Sequence, residues 1–134
     1  MKKLSKSEHI VQYDHHDLPI FDVSIHVILT DNIILARKAA AAQKLMGPDT
    51  ELDNDKGLDG LVETDDEGGF YLFLCLKTLD RGVLTHEVSH LTTGILKFRG
   101  VEDDEMRSLL IEYLNELLNR ILDKKKIKVP KRDD

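Results

Sequence analysis

The sequence predicts an α+β domain with elements in the order β-α-β-β-α-α, including about three strands in one small sheet. Three observations carry that expectation. FDVSIHVIL, residues 21–29, alternates apolar and polar positions as a half-buried strand does. LVET and the nearly continuous apolar FYLFLCLK flank the Gly-rich DDEGG, as the arms of a hairpin do. Further on, two long stretches space their apolar residues three and four apart, the period of an amphipathic helix. At 134 residues the chain is one domain's worth and long enough to bury a core without staples.

Taken in order, residues 1–19 show no period and end in HHDLP, so they read as an irregular arm. In the first strand Phe21, Val23, Ile25, Val27 and Leu29 share the buried face, and Asp22, Ser24 and His26 the polar one. Asp31 is placed to cap a helix through IILARKAAAAQKLM, whose Ala and Lys content favours helix. Gly47-Pro48 stops it. Residues 49–58, DTELDNDKGL, are a polar loop. FYLFLCL is apolar at nearly every position, which suits a central strand covered on both faces. Asp80 or Thr78 caps the next helix, about residues 80–98, which ends at Gly100. Its core stripe is Leu84, Val88, Leu91, Ile95 and Phe98. A last helix, about residues 103–123, opens with the acids of EDDE, which suit the positive end of the helix dipole. Met106, Leu110, Tyr113, Leu114, Leu117 and Ile121 are expected to face inward. Residues 124–134 form a charged tail.

Composition narrows the function classes. The net charge of −6 argues against nucleic acid as a partner, which needs a basic field. DKKKIKVPKRDD carries six basic residues and reads as a solvated, mobile tail. No apolar run approaches the roughly 18 residues of a membrane span, and no apolar segment follows the first lysines, so neither a membrane nor an export signal is expected. The lone Cys75 sits in an apolar run and reads as a small buried hydrophobe. That fits a reducing compartment, most simply a cytoplasm, and it removes Cys-type zinc sites.

The chemistry concentrates in THEVSHL, residues 85–91. Residues four apart on a helix stand one above the other, so His86 and His90 are placed to offer imidazole nitrogens to one metal ion at about 2.0–2.1 Å. Glu87 lies about 100° further round the helix. There it is out of the ligand tetrahedron but within reach of a water on the metal, where a general base belongs. Gly94, one turn past His90, lacks a side chain in a helix interior, which leaves room for a ligand or a close-packed chain. A third protein ligand is required. The acids Glu102 to Glu105 follow on the next helix, and an antiparallel helix pair would return them toward His90. Glu105 is the expected ligand, Asp103 or Asp104 the expected cap, and Glu112 the runner-up ligand. Two imidazoles and one carboxylate favour Zn2+.

The pieces FDVSIHVILTDN, FYLFLCLK, LTHEVSHL and DDEMRSLLIEYL together resemble the small gluzincin-like proteins encoded by bacteriophages, the putative phage metallopeptidases with an H-E-x-x-H helix. The resemblance covers about residues 14–118. It implies a minimal zincin-like domain, 1–134, with a small mixed sheet packed against the H-E-x-x-H helix and a following ligand helix. It implies zinc on His86, His90 and Glu105, with Glu87 as the base. It also implies a peptide or protein substrate of host or phage, met in the host cytoplasm.

The expected activity is hydrolysis of a peptide bond by a zinc-bound water, with Glu87 as general base and the substrate laid along a strand edge of LVET or FYLFLCLK. Tyr113, Arg107 and His26 are candidates for the transition-state donor. The alternative is a zinc-binding phage protein that binds and sequesters a host protein without catalysis. A closed structural zinc site, with a fourth protein ligand such as Asp103, is a third reading. His15 and His16, flanked by Asp14 and Asp17, read as a polar loop, with weak metal binding as the alternative.

Overall fold

The computed structural model describes residues 9–43, 59–65 and 67–131. Its elements are β1 Ile10–Leu18, β2 Val23–Thr30, α1 Ile33–Ala42, β3 Gly60–Thr64, β4 Gly69–Cys75, α2 Arg81–Arg99 and α3 Asp104–Lys124. The four strands form one mixed sheet in the order β1-β2-β4-β3. β1 runs antiparallel to β2, β2 parallel to β4, and β3 antiparallel to β4. A parallel pair needs a crossover, and α1 lies within this one.

The α+β class stands, but the expectation of about three strands is corrected to four. The added strand is β1, inside the stretch read as an irregular arm. Its sequence, IVQYDHHDL, has no apolar alternation because its polar residues are accommodated by neighbours. Ser24 Oγ donates to Asp17, and His15 stacks on His26. Pairing with β2, interrupted by one register shift between Ile10 and Gln12, makes β1 a strand.

Two cores result. On one face of the sheet, Val23, Ile25, Val27, Leu29, Phe70, Leu72 and Leu74 pack against α2 and α3. On the other face, Ile33, Ala36 and Ala40 of α1 cover Ile10, Ile28, Phe73 and Cys75. β4 lies between these two layers, and all seven of its residues are buried. Leu84, Val88, Leu91 and Ile95 of α2 are buried as their spacing predicts. On α3, Tyr113 is 38% exposed rather than inward, and Leu118 and Leu122 are buried instead.

The helix ends follow local chemistry. α1 is capped by Asn32, whose side chain accepts from Leu35 N at 3.1 Å, and not by Asp31, which meets His9. The expected stop at Gly47-Pro48 and the polar loop 49–58 lie outside the described residues. Asp80 caps α2 through Val83 N, and Gly100 closes it in the left-handed region at φ 67. Asp103 caps α3 by accepting from Glu105 N and Met106 N.

The charged tail is also corrected in its first part. Ile127 and Val129 pack against the larger core, and Arg81 N donates to Pro130 O at 2.9 Å. Its apolar residues alternate with lysines, so one side docks while the charges stay outside. Among the described residues, no helix is long and apolar enough to cross a membrane.

Candidate functional site

α2 carries His86, Glu87 and His90, and its position follows from the stripe at Leu84, Val88, Leu91 and Ile95. That stripe seats the helix on the sheet and turns the two histidines outward, where both are exposed. Their Nε2 atoms lie 2.9 Å apart, with the rings edge to face at 4.5 Å between centroids. The imidazoles therefore converge on one point, as the four-residue spacing requires.

Glu87 is buried, at 6% exposure. Burial raises the pKa of its carboxyl, Asp59 adds to that, and the two histidines oppose it. Glu87 lies against Gly60, the first residue of β3. A Cβ built on Gly60 would sit 2.7 Å from the Glu87 carboxylate carbon, so the missing side chain makes the space for this acid. Sequence reasoning did not find this role. A glycine opening a strand is an ordinary feature, and only the packing of α2 on β3 gives it a partner.

Glu87, His90 and Gly94 line one side of a cleft of about 410 Å³, and Gly60, Leu61, Val62, Glu63 and Thr64 line the other. Among the described residues, β3 closes the sheet at this end and pairs with β4 alone. At Gly94 the choice between ligand and chain is partly resolved. A Cβ there would meet the Phe70 ring at 3.1 Å, so a close-packed side chain accounts for the glycine.

Two of the four positions that zinc takes have fitting donors in the His86 and His90 imidazoles. Glu105 stands in the exposed first turn of α3. Among the described residues no third His, Cys, Asp or Glu joins the pair in a group able to hold a metal. α3 lies beside α2 in a register marked by Arg107, which donates to Thr93 Oγ1 and faces Ser89 Oγ at 3.4 Å.

The three donor candidates fall elsewhere. Arg107 is spent on Thr93 and lines a separate cleft around Val101 and Asp103. Tyr113 lines a third cleft with Asp14 and His16. His26 is buried, not exposed as its strand pattern suggested, and belongs to the sheet face opposite the α2 core. There it accepts or donates with Tyr13 Oη at 2.6 Å and stacks between His15 and Tyr71. His15 and His16 form no metal group with Asp14 and Asp17 among the described residues. They lie on β1 and face opposite sides of the sheet.

Comparison with family models, with curated proteins and with solved structures finds no match. The functional reading therefore rests on the geometry of α2, β3 and the cleft between them.

Proposed function

We propose that this chain is a zinc-dependent, zincin-like peptidase that takes an extended peptide along β3. One observation carries the reading. The paired imidazoles of His86 and His90, with the buried Glu87 beside them, stand next to β3, the edge strand of the sheet among the described residues. An extended peptide recognises such an edge through main-chain hydrogen bonds. His86 and His90 would hold the ion, Glu105 is the proposed third ligand, and Glu112 is the runner-up. When bound, zinc supplies an activated water and polarises the scissile carbonyl.

The chain's own residues do the rest. Burial of Glu87 raises its affinity for a proton, which suits a group that must accept one from the attacking water and pass it to the leaving amine. Gly60 keeps that carboxylate seated between α2 and β3. β3 positions the peptide, and Phe70 and Val62 give the cleft an apolar wall.

Elemental mass spectrometry on the native protein and on His90→Ala, Glu105→Ala and Glu112→Ala tests the centre. The expected result is about one zinc per chain, lost with His90 and with whichever glutamate is the ligand. No zinc uptake by the native protein overturns the reading. Cleavage of a peptide library by the native protein but not by a zinc-loaded Glu87→Gln variant identifies Glu87 as the base. If that variant keeps zinc and the biological effect of the protein survives, the chain works by binding and sequestering a protein partner.

A further inference from the structure

The third cleft, of about 410 Å³, lies between β1 and α3, on the side of the molecule marked by β1 rather than β3. Arg120 and Lys124, one turn apart on α3, line it together with Tyr113, and Leu117 contributes an apolar wall. β1 contributes His16 and Asp14. The Nε2 of His16 is buried and has no hydrogen-bond partner. Among the described residues, Arg120, Lys124 and Tyr113 also make no side-chain hydrogen bond or ion pair. Three side-chain donors of α3 thus line one cleft without partners among the described residues, and the His16 ring stands on its β1 side.

The His16 ring lies close enough to Arg120 and Lys124 to feel both charges, so it reports on what enters the cleft. The sign of a ligand there follows from the charges. Two permanent cations face a single carboxylate, and Asp14 already accepts from Gln12 Nε2 at 3.0 Å. A metal ion would meet a guanidinium and an ammonium there. An anion would meet a planar fork, a point charge and a phenol, a donor set that suits a phosphoryl group. The wall at Leu117 suits an apolar body attached to it.

From this arrangement we propose that the β1–α3 cleft is a binding site for a phosphate monoester, with Arg120 and Lys124 holding the phosphoryl oxygens and Tyr113 donating through its hydroxyl. The site is separate from the α2–β3 cleft, and it stands whether or not zinc binds there. Burial lowers the pKa of His16 first; Asp14 opposes that, while His15, Arg120 and Lys124 reinforce it. A bound dianion among the same groups pushes it back up.

The test is a titration of inorganic phosphate and of phenyl phosphate, a free and an esterified source of the same group, followed by the histidine ring resonances of the full-length protein. Both are expected to shift the His16 resonances saturably and to raise its pKa, with phenyl phosphate binding several-fold tighter. His90 serves as the internal reference, so a fault at the proposed metal centre is seen separately. Arg120→Gln and Lys124→Gln, both on exposed positions, are each expected to weaken binding about fivefold to tenfold, in line with loss of one charge-assisted contact. The absence of a saturable His16 shift overturns the assignment. So does a shift that persists unchanged in both variants, or one that sodium chloride reproduces at matched ionic strength.

Discussion

His26 shows what a single residue does when its strand is buried on both sides. Burial lowers its pKa to about 4. The groups facing it are His15, which also lowers it, Asp65 and Asp17, which raise it, and the phenols of Tyr13 and Tyr71. Burial and Asp65 push the Tyr71 hydroxyl up to about 12, so neither phenol titrates near neutrality. The unfolded chain protonates His26 at its ordinary value of about 6.5, while the native chain resists until about 4. Between those values the unfolded state binds more protons, so stability falls as pH drops through that window, by roughly 3 kcal/mol in full. Urea unfolding from pH 7 to pH 4 measures the slope, and His26→Phe is expected to flatten it. Gly60 is the other residue whose identity matters. A Cβ at Gly60 pushes the Glu87 side chain aside, so under the proposed peptidase reading Gly60→Ala is expected to lower peptide cleavage at least tenfold while zinc content holds. A variant that loses both would mean that Gly60 supports the strand rather than the base.

The helices are set by their ends and by the stripes between them. Asp103 satisfies two orphan amides of α3, so Asp103→Ala is expected to cost about 1 kcal/mol. Asp104 lies in the first turn and acts through the helix dipole alone, so Asp104→Ala costs a few tenths. Denaturant midpoints of the two variants distinguish the capping acid from its neighbour. Leu114 has no exposed surface and joins α3 to the larger core. Leu114→Ala is expected to cost about 2–5 kcal/mol, more than either end of the helix is worth. A loss below 1 kcal/mol would show that α3 is held by its ends and not by its face.

At the scale of the molecule, the C-terminal segment ties the last helix back to the start of α2. Ile127 and Val129 pack on the core, and Pro130 O receives Arg81 N. Ending the chain after Lys126 is expected to destabilise it by about 2 kcal/mol, the worth of two partly buried aliphatic side chains. Replacing Lys125 and Lys128 with Gln is expected to change stability by less than about 0.5 kcal/mol, because exposed charges contribute little. Thermal melts of both forms separate docking from charge; equal melting points would return the segment to the role of a solvated tail. The two sheet faces divide the work at the same scale. One bears α2, the histidine pair and the β3 edge, and the other bears α1 and the aromatic row of His15, His26 and Tyr71.

The sequence by itself determined the elements whose signals are local. The alternation in β2, the apolar run of β4 and the 3.6-residue stripe of α2 each report a buried face without reference to any other segment. The same is true of the Gly100 end of α2 and of the meeting of His86 with His90, because helix geometry alone brings residues four apart together, while the choice of Asp80 over Thr78 as the cap waited on the structure. Only the tertiary structure decided the rest. β1 is a strand because β2 accepts it, and its Asp and His residues give no periodic sign of that. His26 is buried because β1 and β4 flank it, and Gly60 matters because α2 lays Glu87 across it. The surroundings of Glu105 depend on how α3 lies against α2, a relation between two helices that the spacing from His90 to Glu105 does not contain. Short-range geometry is written in neighbouring residues. Contacts between distant segments depend on how whole faces pack, and a single stretch of sequence carries only one side of each.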